Sequence, residues 1–206
     1  MNLDVLDRYG VSTLHEAVGQ GGLLPSNLKP LQQNYVLVGR ALTVFCPAGD
    51  NLSIHKALDF ASQGDVLVVT TSGDSDYGMF GDLLAEAAVA AGVKGLVINS
   101  GVRDVSVLRR MRFPVWSRCV YARGTVKETV GSINQPIQIG GVDVRRGDYV
   151  VADDDGVIII GQHDLDDVLE RAETREMVEE EKRARLKAGE KSMDVFSLRA
   201  RDIVGS

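Results

Sequence analysis

The sequence predicts an α/β domain in which helices flank a central sheet, followed by a β-rich second half and a long C-terminal helix. Apolar, β-branched runs at residues 66–71 and 95–99 alternate with helical segments, which is the rhythm of parallel strand–helix units. After Pro114, glycine turns recur at short intervals among alternating residues. From Asp164 a charged helical pattern runs to about Lys187.

The first predicted element is a short helix near the N-terminus. Thr13 and Glu16 have the spacing of a capping box, in which the two side chains satisfy backbone N–H groups at the helix start. Gly19 is expected to end this helix. Glycines and prolines then make residues 20–34 a loop.

A strand, a helix and a second strand are predicted next. Residues 35–45 are apolar and β-branched, which favours a strand, with Gly39 at a bulge. Residues 49–51 are expected to cap a helix that runs to about residue 62. Residues 66–71, VLVVTT, are typical of a strand buried on both faces.

The next unit repeats the strand–loop–helix order. A polar, glycine-bearing loop at 72–79 leads into an alanine-rich helix at 81–92. Residues 95–99 are the next buried strand, and 105–111 are a short helix. Between these two, Asn99 and Gly101 are residues expected in a turn.

The acidic segment Ala152-Asp153-Asp154-Asp155-Gly156 allows two interpretations in the β-rich half. Its carboxylates could bind a metal, yet their spacing does not fit the calcium-loop pattern. A strand–turn–strand junction uses the same residues. The turn is the favoured interpretation.

The predicted C-terminal helix runs from Asp164 to about Lys187 and is almost entirely polar. Val168, Met177 and Val178 give it only a thin apolar stripe, and Gly189 ends it. Such a helix is either a solvated surface helix or an arm that reaches a neighbouring subunit. Both interpretations are open from these residues.

Length and charge limit the classes of protein that the chain can be. With 206 residues it is long enough for one substantial domain. Its net charge of −6 argues against nucleic acid or an anionic membrane as the principal partner. No apolar run approaches the roughly 20 residues that cross a bilayer, and the N-terminus lacks a signal-peptide layout. We expect a cytoplasmic protein whose two cysteines, Cys46 and Cys119, are reduced.

The first candidate site is the start of the helix that begins at Gly81, Asp82, Leu83 and Leu84. The first N–H groups of a helix have no intrahelical partner, and the helix dipole favours an anion there. These backbone amides could therefore hold a carboxylate or a phosphate. Water, or the side chain of Asp82 itself, could satisfy them equally well.

The second candidate site is the pair Arg103-Asp104, which follows the strand at 95–99. Arginine offers a planar fork that matches a carboxylate, and aspartate offers hard oxygen ligands suited to Mg²⁺ or Mn²⁺. Adjacent parallel strands place their following loops side by side, so this pair could share a pocket with Gly81. The alternative is that the two side chains bond each other or cap the next helix, although neighbouring residues usually point apart.

Other candidates are weaker. His15, His55 and His163 are far apart without metal-ligand spacing, so each is interpreted as a surface or core residue. The Walker A, G-x-G-x-x-G and G-x-S-x-G motifs are absent from the sequence. Nucleotide binding and serine hydrolysis therefore have no motif support.

Three segments together resemble one known family: GDLLAEAAVAAGVKGLVINSGVRDV, FPVWSRCVYARGTVKETVGSINQPI and GGVDVRRGDYVVADDDGVIII. They are similar to the divalent-metal-dependent, class II pyruvate aldolases that cleave 4-hydroxy-4-methyl-2-oxoglutarate and 4-carboxy-4-hydroxy-2-oxoadipate. That family shares its fold with the regulator of ribonuclease activity A, RraA. The resemblance covers nearly the whole chain and implies one RraA-like domain, of the swivelling β/β/α type, over residues 1–206.

The resemblance also implies roles for individual residues. Asp104 would anchor a divalent cation, Mg²⁺ or Mn²⁺, and Arg103 would contact the keto acid. The amides of residues 81–84 would hold the pyruvyl carboxylate. Glu179 is the best match for a glutamate that comes from an adjacent subunit. Residues 164–206 would then contact a neighbour in a homotrimer or homohexamer.

The family resemblance leaves two functions open. The first is aldol cleavage of a 4-hydroxy-2-oxo diacid to pyruvate and a second oxo acid, accompanied by oxaloacetate decarboxylation, since both reactions pass through a pyruvate enolate. The second is that of the non-catalytic RraA-type regulators, which inhibit ribonuclease E by protein–protein contact. The G-V-R-D segment occurs in both. The segment VWSR…ARGTVKETVGSINQPI resembles the aldolases more closely and favours the enzyme.

Overall fold

The computed structural model describes residues 3–73 and 76–199, and a nine-stranded sheet organises this part of the chain. The helices are α1 (Val11–Ala17), α2 (Leu52–Ala57), α3 (Asp82–Ala90), α4 (Val105–Met111), α5 (Leu165–Lys187) and α6 (Ser192–Val195), with 3₁₀ helices at Leu3–Arg8 and Leu58–Phe60. The strands are β1 (Lys29–Pro30), β2 (Leu37–Cys46), β3 (Asp65–Thr71), β4 (Gly78–Phe80), β5 (Gly95–Val102), β6 (Val115–Val120), β7 (Ser132–Ile133), β8 (Ile137–Ile139), β9 (Val142–Val144), β10 (Tyr149–Ala152) and β11 (Val157–Ile160).

The centre of the sheet is parallel, as the strand–helix rhythm predicted. The strand order is β1-β6-β5-β3-β2-β10-β11, and β6, β5, β3 and β2 run in the same direction. Every residue of β3 is buried, because helices or other strands cover both faces of the sheet. The carboxyl ends of these four strands therefore meet at one edge.

The two faces of the parallel strands bury different partners. On one face, Leu67 and Ile98 pack with Ile54 of α2, Leu84 of α3 and Leu108 of α4. On the other face, side chains of the sheet pack under the hairpin formed by β8 and β9. A third cluster joins the N-terminal helices, β10, β11 and the start of α5. The predicted α/β architecture with a β-rich second half is confirmed.

The predicted capping box at Thr13 is wrong. Helix α1 begins at Val11 with Gly10 at the N-cap position, three residues before the predicted cap. The N–H group of Val11 donates a hydrogen bond of 2.8 Å to Oδ2 of Asp153. The cap is therefore supplied by a residue far away in the sequence, which local spacing does not reveal.

Gly39 lies in a regular part of β2 rather than at a bulge. It pairs with Val150 of β10, and the register on both sides is continuous. A Cβ atom at Gly39 would lie 2.5 Å from the carbonyl oxygen of Gly64 and 2.7 Å from Cγ2 of Val66. The glycine is needed because another backbone segment approaches closely.

Strand β5 is longer than predicted and has an unexpected neighbour. Asn99 and Gly101 lie within the strand, which continues to Val102. The short strand β4 pairs with β5 in parallel beyond the end of its pairing with β3. A Cβ atom at Gly101 would lie 2.6 Å from the carbonyl oxygen of Tyr77, so this glycine lets the segment before β4 approach.

The segment around Asp153–Asp155 is a turn between β10 and β11, as the favoured interpretation stated. Asp153 accepts hydrogen bonds from the N–H groups of Val11 and Asp155, both at 2.8 Å. Asp154 accepts the N–H group of Asn34. The carboxylates of Asp153 and Asp154 therefore accept hydrogen bonds from backbone N–H groups and do not converge on a common metal position.

Helix α5 buries only its first turns against the domain. Leu165, Val168 and Ala172 are its buried residues, whereas Met177 is 69% exposed. The thin apolar stripe is thus confirmed, and contact with a neighbouring subunit stays a prediction.

Within residues 3–73 and 76–199, none of the helices has the length and apolar character needed to cross a lipid bilayer. Cys46 and Cys119 are free thiols, as expected, and burial raises the pKa of Cys46 to about 12.

The close approach at Gly39 predicts a stability difference. We expect Gly39→Ala to lower the free energy of unfolding by about 1–3 kcal/mol, because the added methyl group overlaps the backbone of Gly64. In Gly21→Ala the methyl group would meet only Cγ1 of Val18 at 3.6 Å, so its change should stay within about 0.5 kcal/mol. Urea denaturation measures both, and equal stabilities of the two variants would contradict the packing argument.

Candidate active site

A small cleft lies at the carboxyl edge of the parallel strands, where the segments after β2, β4, β5 and β6 meet. Its volume is about 70 Å³. Residues from all four segments line it: Asn51, His55, Gly78, Met79, Gly81, Asp82, Leu83, Leu84, Arg103 and Lys127. Ligands of open α/β sheets commonly bind at this edge. The two candidate sites of the sequence are therefore parts of one site.

A backbone hydrogen bond joins the two candidate segments at the end of the β4–β5 pairing. The N–H group of Arg103, at the end of β5, donates to the carbonyl oxygen of Phe80, the last residue of β4, at 2.9 Å. The chain then enters α3 through Gly81 on one side and α4 through Asp104 on the other. The proximity agrees with the prediction from parallel strands, and β4 is the element that produces it.

Asp104 has an unusual backbone conformation. Its φ of 56° lies in the left-handed region, which costs a non-glycine residue on the order of 1 kcal/mol. It occupies the N-cap position of α4 but makes no side-chain cap hydrogen bond. Its Oδ2 lies 3.4 Å from the N–H nitrogen of Asp82 and 3.4 Å from Nε of Arg103. The carboxylate thus faces α3 and not its own helix.

The expectation that Arg103 and Asp104 point apart is wrong, because the left-handed turn at Asp104 brings the carboxylate back beside the guanidinium. The two side chains are 44% and 37% exposed, so both remain accessible to a ligand. Gly81 makes this arrangement possible, since a Cβ atom there would overlap Oδ2 of Asp104. At Gly78 a Cβ atom would lie 3.0 Å from Cβ of Arg103.

Carboxylates already occupy part of the α3 N-terminus. Oδ1 of Asp82 accepts the N–H group of Leu83 at 2.7 Å. The N–H group of Asp82 points to Asp104. Asp82 therefore accepts a hydrogen bond from one of the N–H groups at the helix start, which is one of the alternatives that the sequence left open. A bound anion would have to replace these contacts.

Three polar residues of the cleft were missed by sequence analysis. Asn51 donates from Nδ2 to the carbonyl oxygen of Met79 at 2.9 Å, while its Oδ1 is buried without a partner among the described residues. Nε2 of His55 is likewise buried and has no hydrogen-bond partner among the described residues. His55 thus lines the cleft, and its interpretation as a surface or core residue rather than a metal ligand stays a prediction. Lys127 completes this end of the cleft.

The charge state of His55 follows from its surroundings. Burial and, secondarily, the positive charge of Lys127 lower its pKa below the ordinary value of 6.5. The imidazole is therefore neutral at pH 7. A neutral ring with one unpartnered nitrogen can form a hydrogen bond with a ligand at little cost.

A signal for these residues was present in the sequence, although a weak one. Asn51 follows β2 within five residues, and Lys127 lies in the segment after β6. Both strands are parallel to β5, so their following segments reach the same edge. The strand order was needed to see this, and the sequence alone does not provide it.

The donor set beside Arg103 fits a hard divalent cation. Asp104 and Asp82 offer carboxylate oxygens, and Mg²⁺ commonly takes one or two protein carboxylates and retains several waters. Within the described residues, no group of three or more His, Cys, Asp or Glu side chains could hold a metal ion. A cation here would need water, substrate or a second chain to complete its ligands.

Glu179 lies elsewhere in the chain. Its Oε1 is 2.8 Å from Nε of Arg175 in the same helix, and Arg175 also pairs with Glu16 of α1. These residues line a separate groove of about 880 Å³ between α1, α5 and the segment after α6. Within one chain Glu179 therefore does not line the cleft. Its delivery by an adjacent subunit stays a prediction.

Comparisons with curated proteins link the chain to named aldolases. A protein of Halalkalibacterium halodurans with the name "Putative 4-hydroxy-4-methyl-2-oxoglutarate aldolase" is 37% identical over 157 residues, which are 76% of this chain and 75% of that protein. An uncharacterized protein of Methanocaldococcus jannaschii is 30% identical over 199 residues, covering 95% of this chain and 94% of that protein.

Solved structures show the same fold. An uncharacterized protein from Pseudomonas syringae superimposes with a TM-score of 0.85 at 25% identity, covering 95% of this chain and 92% of that chain. The RNA-processing inhibitor RraA from Thermus thermophilis superimposes with a TM-score of 0.67 at 27% identity, covering 74% and 92%. A family model described as RraA-like, Aldolase/RraA, matches residues 4–159. The chain therefore belongs to the RraA-like family.

Proposed function

We propose that the chain is a divalent-metal-dependent carbon–carbon lyase that cleaves 4-hydroxy-2-oxo diacids, such as 4-hydroxy-4-methyl-2-oxoglutarate and 4-carboxy-4-hydroxy-2-oxoadipate. The products are pyruvate and a second oxo acid. One observation carries the proposal: Arg103 and the first turn of α3 line one cleft, and the carboxylate of Asp104 lies 3.4 Å from both. The aldolase names of relatives support the same reaction class.

The pyruvyl carboxylate is assigned to the start of α3 and to Arg103. The helix dipole and the first N–H groups favour an anion at this position. The planar guanidinium of Arg103 offers two parallel N–H donors to carboxylate or keto oxygens. Binding exchanges the internal contacts of Asp82 and Asp104 for contacts with the substrate.

Asp104, with Asp82 beside it, would hold Mg²⁺ or Mn²⁺. A bound cation of this kind supplies Lewis-acid stabilisation of negative charge on the substrate. Asp104 itself contributes a fixed carboxylate whose direction is set by the left-handed backbone at this residue. The neighbouring guanidinium, with Nε 3.4 Å from Oδ2, helps to position that carboxylate.

Bond cleavage requires stabilisation of a pyruvate enolate. The C4 hydroxyl proton passes to a water molecule, which later returns a proton to C3, while C4 becomes a carbonyl carbon and the C3–C4 bond breaks. The electron pair forms the C2–C3 double bond, and the C2 oxygen gains negative charge. Arg103 donates hydrogen bonds to this oxygen, and the interaction strengthens as the charge develops. Protonation at C3 gives pyruvate. Oxaloacetate yields the same enolate by loss of CO₂, so decarboxylation should accompany cleavage.

The other end of the cleft is assigned to the rest of the substrate. Lys127 supplies a positive charge for the second carboxylate. Oδ1 of Asn51 can accept a hydrogen bond from the C4 hydroxyl group, and His55 offers a neutral ring nitrogen. A diacid would thus be held at both ends. Glu179 of an adjacent subunit in a homotrimer or homohexamer completes the proposed site.

The alternative function is that of a non-catalytic RraA-type regulator acting on ribonuclease E by protein–protein contact. The similarity to the Thermus RraA structure favours it, as does the 80% exposure of Leu83 at the mouth of the cleft. Incubation with oxaloacetate and Mg²⁺, with pyruvate followed in a coupled assay, separates the two functions. Pyruvate above the metal-only blank supports the lyase. A blank-level rate with every divalent ion tested would favour the regulator.

Removal of Asp104 should abolish metal-dependent turnover. We expect Asp104→Ala to lower pyruvate release at least about 10²-fold, because the cation loses its anchoring ligand, while thermal unfolding shows an intact fold. Asp59→Ala, at an exposed 3₁₀ position, should retain full activity. Wild-type turnover in Asp104→Ala would remove the proposed metal role.

Replacement of Arg103 by lysine tests the requirement for a planar donor. Arg103→Lys should lose about 10²-fold in kcat, since a point charge does not reproduce two parallel N–H donors. Arg110→Lys, on the exposed side of α4, is the matched control. A near-normal kcat in Arg103→Lys would show that arginine has another role.

The pKa of His55 is directly measurable. Because burial and Lys127 both lower it, an NMR titration should give a value below 6.5. Lys127→Met removes the neighbouring charge, and the pKa of His55 should then rise. His15, which is hydrogen-bonded at a distant loop, serves as internal control and should not respond. An unchanged His55 titration in Lys127→Met would contradict the proximity of the two side chains.

A further inference from the structure

The segment at residues 121–131, which we call the rim segment, carries Lys127 but has little core of its own. All of its side chains except those of Thr125 and Gly131 are exposed. It contains no helix or extended strand, and Val126 makes only an isolated bridge with Asp50. Val126, which precedes Lys127, is held by two backbone hydrogen bonds: its N–H group donates to the carbonyl oxygen of Gly49 at 3.0 Å, and its carbonyl oxygen accepts the N–H group of Asn51 at 3.1 Å.

The carboxylate of Asp50 supplies a further attachment, on the other side of Lys127. Oδ2 accepts the N–H groups of Glu128 at 2.9 Å and Thr129 at 2.6 Å, the two residues that follow Lys127. Oδ1 accepts the N–H group of Leu52, the first residue of α2, at 3.0 Å. Asp50 is only 3% exposed. Asp50 thus joins the rim segment to the start of α2, together with the bonds of Val126 and a hydrogen bond of 2.7 Å from the N–H group of Gly131 to Oγ of Ser53.

The start of α2 carries the other polar residues at this end of the cleft. Asn51 adjoins Asp50, and His55 follows one turn later on α2. The bonds of Val126 and of Asp50 therefore flank Lys127, and together they set its distance from Asn51 and His55. Asp50 itself does not line the cleft.

We infer that Asp50 is a positioning residue, which holds Lys127 against Asn51 and His55 so that the cleft can receive the second carboxylate of a diacid. The assignment of a diacid rests on the proposed function. The geometric part, that Asp50 fixes Lys127 near His55, does not depend on it.

The ionisation of Asp50 supports this role. Burial alone would raise its pKa, but the N–H donors of Leu52, Thr129 and Glu128, together with the charge of Lys127, hold the pKa below its ordinary value. The group is therefore a carboxylate at neutral pH. A carboxylate can accept on both oxygens, whereas an amide side chain presents one donor face.

Asp50→Asn tests the geometric part by NMR. If Asp50 holds Lys127 in place, the pKa of His55 should rise by at least half of the shift that Lys127→Met produces. Simple loss of a negative charge would lower the pKa of His55 instead, so the sign distinguishes the two effects. Adding Lys127→Met to the Asp50→Asn variant should change the pKa of His55 less than Lys127→Met changes it in the wild type. An unchanged or lowered pKa in Asp50→Asn overturns the inference.

Asp153→Asn is the matched control. Asp153 also accepts two backbone N–H groups and also joins segments that are distant in sequence, but it does not line the cleft or contact the rim segment. It should leave the His55 titration unchanged. Should Asp50→Asn fail to fold, Thr129→Pro removes one N–H donor to Asp50 and should raise the pKa of His55 in the same direction.

Kinetics test the diacid part. In Asp50→Asn, KM for 4-hydroxy-4-methyl-2-oxoglutarate should rise about tenfold while kcat changes less than threefold, because the reacting end at Arg103 is intact. Asp153→Asn should leave both unchanged. A normal KM with a raised His55 pKa would overturn the assignment of Lys127 to the second carboxylate. Absence of aldol cleavage in the wild type would reject the proposed function while the NMR result still decides the role of Asp50.

Discussion

The hydrogen bond from the N–H group of Arg103 to the carbonyl oxygen of Phe80 is the interaction on which the site depends. It closes the parallel pairing of β4 with the end of β5 and so places the start of α3 beside Asp104. Gly78 and Gly101 allow β4 to approach, because any side chain at either position would meet backbone atoms within 2.6 Å. Strand β4, which has three residues, thus determines the relative positions of Arg103, Asp104 and the start of α3.

The electrostatics of the cleft differ from those of the whole protein. The chain has a net charge of −6, yet Arg103, Lys127 and the N-terminus of α3 gather positive charge around one small volume. Such a local field attracts an anionic substrate against the overall charge. Asp104 and Asp82 are the negative groups among these, and their contacts with Arg103 and the α3 amides are the ones that a substrate and a cation would replace.

Elements with a strong local signal could be predicted from the sequence, and elements fixed by distant contacts could not. The apolar runs of β3 and β5 and the helix at Val105–Met111 were found because their patterns are local. Strand β4 has only three residues and no pattern of its own. The start of α1 depends on Asp153, which is 142 positions away.

The residues of the site also divide into those that local patterns predicted and those that distant contacts place. Gly81 and Arg103 were expected together because loops after parallel strands share an edge. Asn51, His55 and Lys127 were missed because their place depends on strand order and on the attachment of the rim segment by Asp50. The role of Glu179 depends on an assembly of several chains, which the contacts within one chain do not determine.

The most direct measurement is a crystal structure of the protein soaked with Mn²⁺ and pyruvate. The account predicts an anomalous manganese peak bonded to the carboxylate of Asp104, with pyruvate between that ion, the guanidinium of Arg103 and the first turn of α3. A manganese ion and pyruvate bound away from this cleft, or no binding of either at saturating concentration, would contradict it.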